Sequence, residues 1–499
     1  MRTGPVSVEH SRALLLAQSA TSASPGQLEQ RLDSSVVAIS VDPGMPMSFL
    51  TAKVLVSTLR RGLGTLVLLR ESLPGPIVQD LEETAAAIDP GRPLRIETAL
   101  PGEPAVRLHI GTSITGRAVR VVPEGYGAHI ATARAAVIRP RRPGNQLGAV
   151  YAAALSAAEA FKHTAAVIPA RRVVHRHLRF CPVTLSAGLS AAPHLPSTLT
   201  LGLSLIGIGA IGTGIVLILS ELPAEGKILA VDRQRFAKEN RGTYSLGGVA
   251  EVQAKPWKTD IAQQALRRFD VEPFHGSAGD LPAAVDARQA PWLPTVLTAL
   301  DSPESRRDAQ RLWPDRLIDA ATGDTMLGIC DHRAGMDPCL MCHFPIDREQ
   351  PSGAERIAQR LGLSAEVLGL GDAPLAQEHL RGSTEEQRNF LRPHLGTPIC
   401  GLARAAGLTG LDTDGFMPSV PFVSLQAACL TVGRLLAIQL GSTTTANFAQ
   451  YDGLFGPQAA TIETFRRRPG CICITRSDSI SRVRQERARH PQPAASTQR

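Results

Sequence analysis

Aromatic residues are scarce in this 499-residue chain, at 4%. Lysine is nearly absent: six residues, at positions 53, 162, 227, 238, 255 and 258. No basic stripe is interleaved with aromatics, so the net charge of +8 does not point to a dedicated nucleic-acid surface. Its excess is arginine, scattered along the chain and concentrated in the C-terminal tail. Eight cysteines are too few for a disulfide scaffold; where they cluster, metal binding or chemistry is the expectation. Long uncharged apolar runs are missing apart from Leu199–Ser220, and five glycines interrupt it, which suits a buried core better than a membrane span. The first thirty-odd residues carry Glu9, His10, Arg12, Glu29 and Arg31 and no apolar core, so no secretory signal is evident and a cytoplasmic protein is expected. What is present is 43% hydrophobic and 20% charged residues, enough for two or three globular domains.

The most informative stretch is Leu199–Asp232, LTLGLSLIGIGAIGTGIVLILSELPAEGKILAVD. An apolar strand runs into Gly207-Ile208-Gly209-Ala210-Ile211-Gly212, a G-x-G-x-x-G turn. A helix is expected to about Leu222, a break at Gly226, and a second strand, Lys227–Val231, ending on Asp232. This is the nucleotide-binding βαβ layout: glycines allow a tight turn and close approach to phosphate, and a helix N-terminus offers free N–H groups. Asp232 can accept the ribose hydroxyls, which by itself does not separate NAD from ATP.

Before this stretch, residues 1–33 are polar and expected to be partly disordered. From Ser34 to about residue 165 strands alternate with helices, ending in the alanine-rich helix Leu147–His163. The turn after the first strand, Asp42-Pro43-Gly44-Met45-Pro46, has one glycine and two prolines and cannot form a phosphate cradle. Residues 34–165 therefore read as a Rossmann-like unit without a nucleotide site. Residues 166–197 read as a linker, with a strand at Val173–Phe180. The second unit, 198–474, has a helix at Val252–Phe269, a strand Thr295–Leu300 ending at Asp301, a charged insert from 346 to 400, and a long apolar helix, Val420–Leu440. From 475 to 499 the composition predicts a disordered basic tail.

Three sets of residues carry chemistry. Asn240, Arg241, Lys255 and Lys258 follow Asp232, and an ammonium suits a point contact to phosphate. Asp301, at a strand's carboxyl edge, makes sense beside a triphosphate only if it holds Mg²⁺; Arg306 or Arg307 could neutralise developing charge. Cys339-x-x-Cys342 and Cys471-x-Cys473 offer four thiolates for a closed, structural zinc site. A redox C-x-x-C is the alternative, but the flanks are not a thioredoxin-type strand–helix turn. Cys400 stands alone in GTPICG; Cys181, Cys330 and Cys429 read as small buried residues.

Taken in order, Gly207, Gly209, Gly212, Asp232, Asn240, Lys258, Asp301, Cys339/Cys342, Cys400 and Cys471/Cys473 resemble the ubiquitin-activating-enzyme superfamily, which includes the ThiF-type adenylyltransferases of sulfur-carrier proteins. The resemblance covers about residues 198–474 and includes PSVPFVSLQAACLTVGRLLAIQL at Pro418–Leu440. It implies two adenylation-fold units in one α/β chain, the second holding ATP, Mg²⁺ and structural Zn²⁺. It implies that the glycine turn, Asp232, Asn240, Lys258 and Asp301 bind the nucleotide and that Arg241, Lys258 and Asp301 assist catalysis. The C-terminal glycine carboxylate of a ubiquitin-like or sulfur-carrier protein would become an acyl-adenylate. Cys400 would then take the acyl group as a thioester and pass it to a conjugating enzyme. The alternative is an adenylyltransferase acting on a carrier protein, peptide or tRNA without a thioester. A non-catalytic scaffold or NAD-binding protein is a third reading. The family's arginine three residues after the Asn is Thr243 here, and its N-terminal arginine-bearing helix is not evident before Thr198; such an arginine would have to come from residues 1–197. Two-unit chains of this shape resemble activators in bacterial ubiquitin-like conjugation operons, associated with antiviral defence. Whether one chain suffices or two form a homodimer stays open.

Overall fold

The computed structural model describes residues 23–489 except 71–72, 101, 113, 115, 133–137, 166–176, 189–191, 324, 346–357, 360, 371–372, 397–398, 400–401, 403–419 and 443–444. The chain divides into two compact units. The larger comprises Met1–Leu300, Ser305–His343 and Ser419–Arg499; the smaller comprises Asp301–Glu304 and Phe344–Pro418.

The larger unit contains two sheets of the same design. The first has seven strands: β1 (Val36–Val41), β2 (Thr65–Leu69), β3 (Arg95–Glu97), β4 (Val106–Ile110), β5 (Val119–Glu124), β6 (Gly127–Thr132) and β7 (His177–Phe180), in the order β3-β2-β1-β4-β5-β6-β7. The second has eight: β8 (Leu199–Ile206), β9 (Ala224–Val231), β10 (Phe269–Phe274), β11 (Thr295–Thr298), β12 (Arg316–Gly323), β13 (Met326–Arg333), β14 (Phe448–Asp452) and β15 (Thr461–Glu463), in the order β10-β9-β8-β11-β12-β13-β14-β15. In each, five parallel strands come first and the remainder pair antiparallel. Both orders reverse direction beside the first strand, at β1/β4 and β8/β11, the place where doubly wound sheets bind ligands. The fold is thus α/β with two Rossmann-like units.

A 19-residue helix occupies the same place in each half: Gln146–Thr164 between β6 and β7, and Pro421–Gln439 between β13 and β14. Each is apolar on nearly every face, and they are buried against each other. Phe161 meets Phe422 at a centroid distance of 5.5 Å, and the hydroxyls of Tyr151 and Tyr451 lie 3.0 Å apart in the shared core. Pro421–Gln439 is the one helix among the described residues long and apolar enough to cross a membrane, and 94% of its apolar window is buried in the fold.

Local expectations differ from the structure in five places, the first being that Pro25–Ser34, within the N-terminal stretch expected to be partly disordered, is a helix, while residues 1–22 lie outside the described residues. Gly226 does not break β9; it lies inside it at φ +125°, where a Cβ would come within 2.1 Å of the Leu201 carbonyl oxygen. Val252–Phe269 is not one helix but two, Val249–Ala254 and Lys258–Ala265, separated by Lys255 in the left-handed region and by Pro256, with Phe269 opening β10. The strand read as Thr295–Leu300 ends at Thr298. Of the tail expected to be disordered from 475, Ser477–Arg489 is instead a helix, tied down by Arg487 on Asp286 at 2.7 Å and by Arg484 on Asp315, and 490–499 lie outside the described residues.

The smaller unit has the helices Ala365–Gly369 and Glu385–Leu391, the latter started by a Thr384/Gln387 capping box. Leu361, Leu363, Leu375, Leu380, Leu391 and Ile399 form its core.

Candidate functional site

The glycine turn sits at the switch point of the second sheet, and its three glycines have three different surroundings. Gly207 follows β8 at φ +93°, and a Cβ there would stand 2.5 Å from the Ala299 carbonyl oxygen beyond β11. Gly212, in the first turn of the helix Ala210–Glu221, would place a Cβ 2.0 Å from the Gly207 carbonyl oxygen. Gly209, the residue before that helix, is open: the nearest atom to its Cβ position is the Tyr244 hydroxyl at 4.0 Å. Two glycines are required by packing and the third leaves space beside the helix's first amides, which have no intrahelical acceptor. That is the shape of a cradle for a phosphate.

Asp232, one residue past β9, is half-buried and joins the two strand ends. Its Oδ2 accepts from the Ile208 amide and its Oδ1 from the Gln234 amide, both at 2.8 Å. Lys258 begins the helix after Pro256 and is buried. Its ammonium donates to Gln234 Oε1 at 2.5 Å and lies 5.2 Å from the centre of the Tyr244 ring, within cation–π range. Tyr244 thus stands between Gly209 and Lys258, with its ring edge-on to Phe236. Lys255 is exposed. Asn240 turns its Oδ1 onto the Ala237 amide at 2.8 Å, stabilising the short 3₁₀ turn Lys238–Asn240. The Arg241 guanidinium is partly buried, and that burial holds its pKa below the ordinary value.

In the first half the equivalent turn is closed on itself. Asp42 Oδ1 accepts from the Gly44 amide at 2.9 Å, and Pro43 and Pro46 have no amide hydrogen. The carboxylate occupies one amide that a phosphate would need, and the two prolines offer none.

Asp301 lies three residues beyond β11, in the first segment of the smaller unit. Arg306 is not available to neutralise charge: it is buried on Asp319 at 2.5 Å and also donates to the Leu300 carbonyl. Cys400 falls outside the described residues. Gln234 and Tyr244 were not found from sequence. The only signal was position: Gln234 is two residues past Asp232, and Tyr244 is the one aromatic residue in Lys238–Gly248.

The four cysteines come together although 132 residues separate Cys339 from Cys471. Sγ–Sγ distances are 3.8 Å for Cys339–Cys342, 3.5 Å for Cys339–Cys471 and 3.7 Å for Cys342–Cys473, and all four sulfurs lie within 4.8 Å of one another. Tetrahedral zinc with Zn–S bonds of about 2.3 Å requires sulfurs about 3.8 Å apart, so the donor set fits that ion. Burial and the neighbouring sulfurs push the Cys339 thiol far above its ordinary range in the absence of a cation. Four thiolates packed this closely need a divalent charge among them. The Arg468 amide points at Cys342 Sγ (3.5 Å), and the Leu340 amide donates to the buried Gln310, so the loops are held from outside as well.

No protein-family model and no curated protein sequence matches the chain. Solved structures of MccB from E. coli are similar at low level. The complex with MccA-N7isoASN aligns over 54% of this chain and 65% of that one, at 12% identity and a TM-score of 0.32. The complex with ATP aligns over 55% and 65%, at 12% identity and 0.33. The microcin C7 biosynthetic enzyme MccB with N-formylated MccA aligns over 55% and 66%, at 12% identity and 0.32. This chain spans less than two thirds of the MccB chains, and a likeness this loose carries no argument about its activity.

Proposed function

We propose that the chain is an adenylyltransferase of the ubiquitin-activating-enzyme type, which uses ATP to activate the C-terminal carboxylate of a peptide or small carrier protein. The observation that supports this reading is the open Gly209 cradle, with Asp232 bonded to the Ile208 amide of the turn and the buried Lys258 ammonium linked to Asp232 through Gln234. In this reading the first amides of the helix Ala210–Glu221 and Lys258 hold the phosphates, Asp232 holds the ribose, and Asp301 carries Mg²⁺, which would screen the phosphate charge. A substrate carboxylate oxygen attacks the α-phosphorus. The bond from that phosphorus to the bridging oxygen breaks, and pyrophosphate leaves with the electron pair, giving a mixed anhydride without any redox partner.

The test is isothermal calorimetry with Mg-ATP and with NAD. ATP binding that weakens at least tenfold in Lys258→Ala and Asp232→Asn, with little response to NAD, supports the reading. Tight NAD binding with none for ATP, or no nucleotide binding at all, refutes it. Candidate substrates ending in glycine then serve to assay pyrophosphate release.

The resemblance adds a second step, thioester formation on Cys400 and transfer to a conjugating enzyme. Cys400→Ala separates the two versions. Full product formation by the variant excludes the thioester; adenylation without product supports it.

A further inference from the structure

Besides the shared helical core, the half without a cradle holds a loop of the half that has one through one guanidinium. Arg61 follows the helix Ser48–Arg60 of the first half and is 4% exposed. It donates to three carbonyl oxygens on one loop of the second half: Arg241 at 2.6 Å, Gly247 at 3.1 Å and Ser245 at 3.3 Å. Farther along the same loop, Gly248 comes so close to the first half that a Cβ would stand 2.1 Å from the Ala87 carbonyl oxygen. The loop is therefore gripped at both ends by the first half.

The gripped loop contains Tyr244, which lies between Gly209 and the Lys258 ammonium. Arg61 holds the carbonyls of Arg241 and Ser245 on either side of it. The Ser245 amide in turn donates to Thr213 Oγ1, on the helix that starts at the cradle. Three acceptors on one short loop suit the planar fork of arginine; a lysine ammonium has donors but not that span.

We propose that Arg61 is a positioning residue of the nucleotide site. Without contacting nucleotide, it fixes the loop 241–247 so that Tyr244 keeps its place between the cradle and Lys258. The first half, which has lost its own site, thereby completes its neighbour's. This inference rests on the ATP reading above.

The test uses the full chain and three measurements: ATP affinity by calorimetry at 20 °C, the thermal midpoint, and hydrogen exchange of the loop amides. Arg61→Lys is expected to keep its midpoint close to that of the parent, to weaken ATP at least tenfold, and to exchange faster at 241–247. Arg61→Ala is expected to lose more affinity and to regain part of it with millimolar guanidinium chloride, which a general loss of stability would not reverse. Parent-like ATP affinity in a folded Arg61→Lys overturns the proposal. So does an Arg61→Ala variant that binds weakly, keeps parent-like loop exchange and is not rescued. If the parent chain itself binds no ATP, the reading of the site falls, and this inference with it.

Discussion

Gly209 and Gly212 are three residues apart in one motif, yet alanine should do opposite things at the two positions. At Gly212 the new Cβ would stand 2.0 Å from the Gly207 carbonyl oxygen. Turn and helix would have to part by about 1 Å, in a region packed like a crystal. Overpacking of this kind costs about 1–3 kcal/mol, and the better helix propensity of alanine returns up to about 1 kcal/mol. A net loss of about 1–2 kcal/mol lowers the midpoint by about 1–2 °C for a chain of 499 residues. At Gly209 the Cβ meets nothing nearer than 4.0 Å in the free protein. The fold loses only the preference for glycine at the residue preceding a helix, up to about 1 kcal/mol. A phosphate seated on the first helix amides would collide with that methyl group. Gly209→Ala should therefore stay folded and lose ATP affinity by about tenfold or more, a loss of about 1.4 kcal/mol. Thermal unfolding with and without Mg-ATP reads both effects: the ATP-induced rise in midpoint shrinks in Gly209→Ala, and the starting midpoint falls in Gly212→Ala. Parent-like ATP stabilisation of Gly209→Ala would refute the cradle, whatever the behaviour of Gly212→Ala.

Three further outcomes are expected. Purified protein should contain about one zinc per chain by elemental analysis, and Cys339→Ser should lose the metal and unfold at lower temperature; a metal-free parent of full stability would exclude a structural metal. His129 is buried beside Arg179, His177 and Arg120, and burial, followed by those neighbours, lowers its pKa from 6.5 to about 4. The unfolded chain takes up that proton near pH 6.5 and the folded chain does not, so stability falls as pH drops from 6.5 toward 4, by up to about 3 kcal/mol. Urea unfolding at pH 7 and pH 5 should show that loss in the parent and a smaller one in His129→Gln; equal losses would contradict the assignment. Tyr151→Phe strands the buried Tyr451 hydroxyl and should cost about 1–2 kcal/mol, while adding Tyr451→Phe should cost little more; strictly additive losses would mean that the two hydroxyls do not interact.

What the sequence alone determined is local or strongly patterned. The β8–turn–helix–β9 unit was legible because glycine spacing, apolar runs and the terminal Asp232 all lie within 34 residues of chain. The four cysteines were legible as a ligand set because thiolates at close spacing have few other uses, and the barren first turn because proline lacks the donor that a phosphate needs. Tertiary structure decided the rest, because the deciding contacts join residues distant in sequence. The matching strand orders required the pairing of both sheets. The roles of Gly207 and Gly209 depended on Ala299 and Tyr244, which no spacing rule connects to them. Ser477–Arg489 is a helix held in place because Asp286 and Asp315 stand where Arg487 and Arg484 can reach them. Arg61 looked like one arginine among many until folding brought three carbonyls, 180 to 186 positions away, onto its guanidinium.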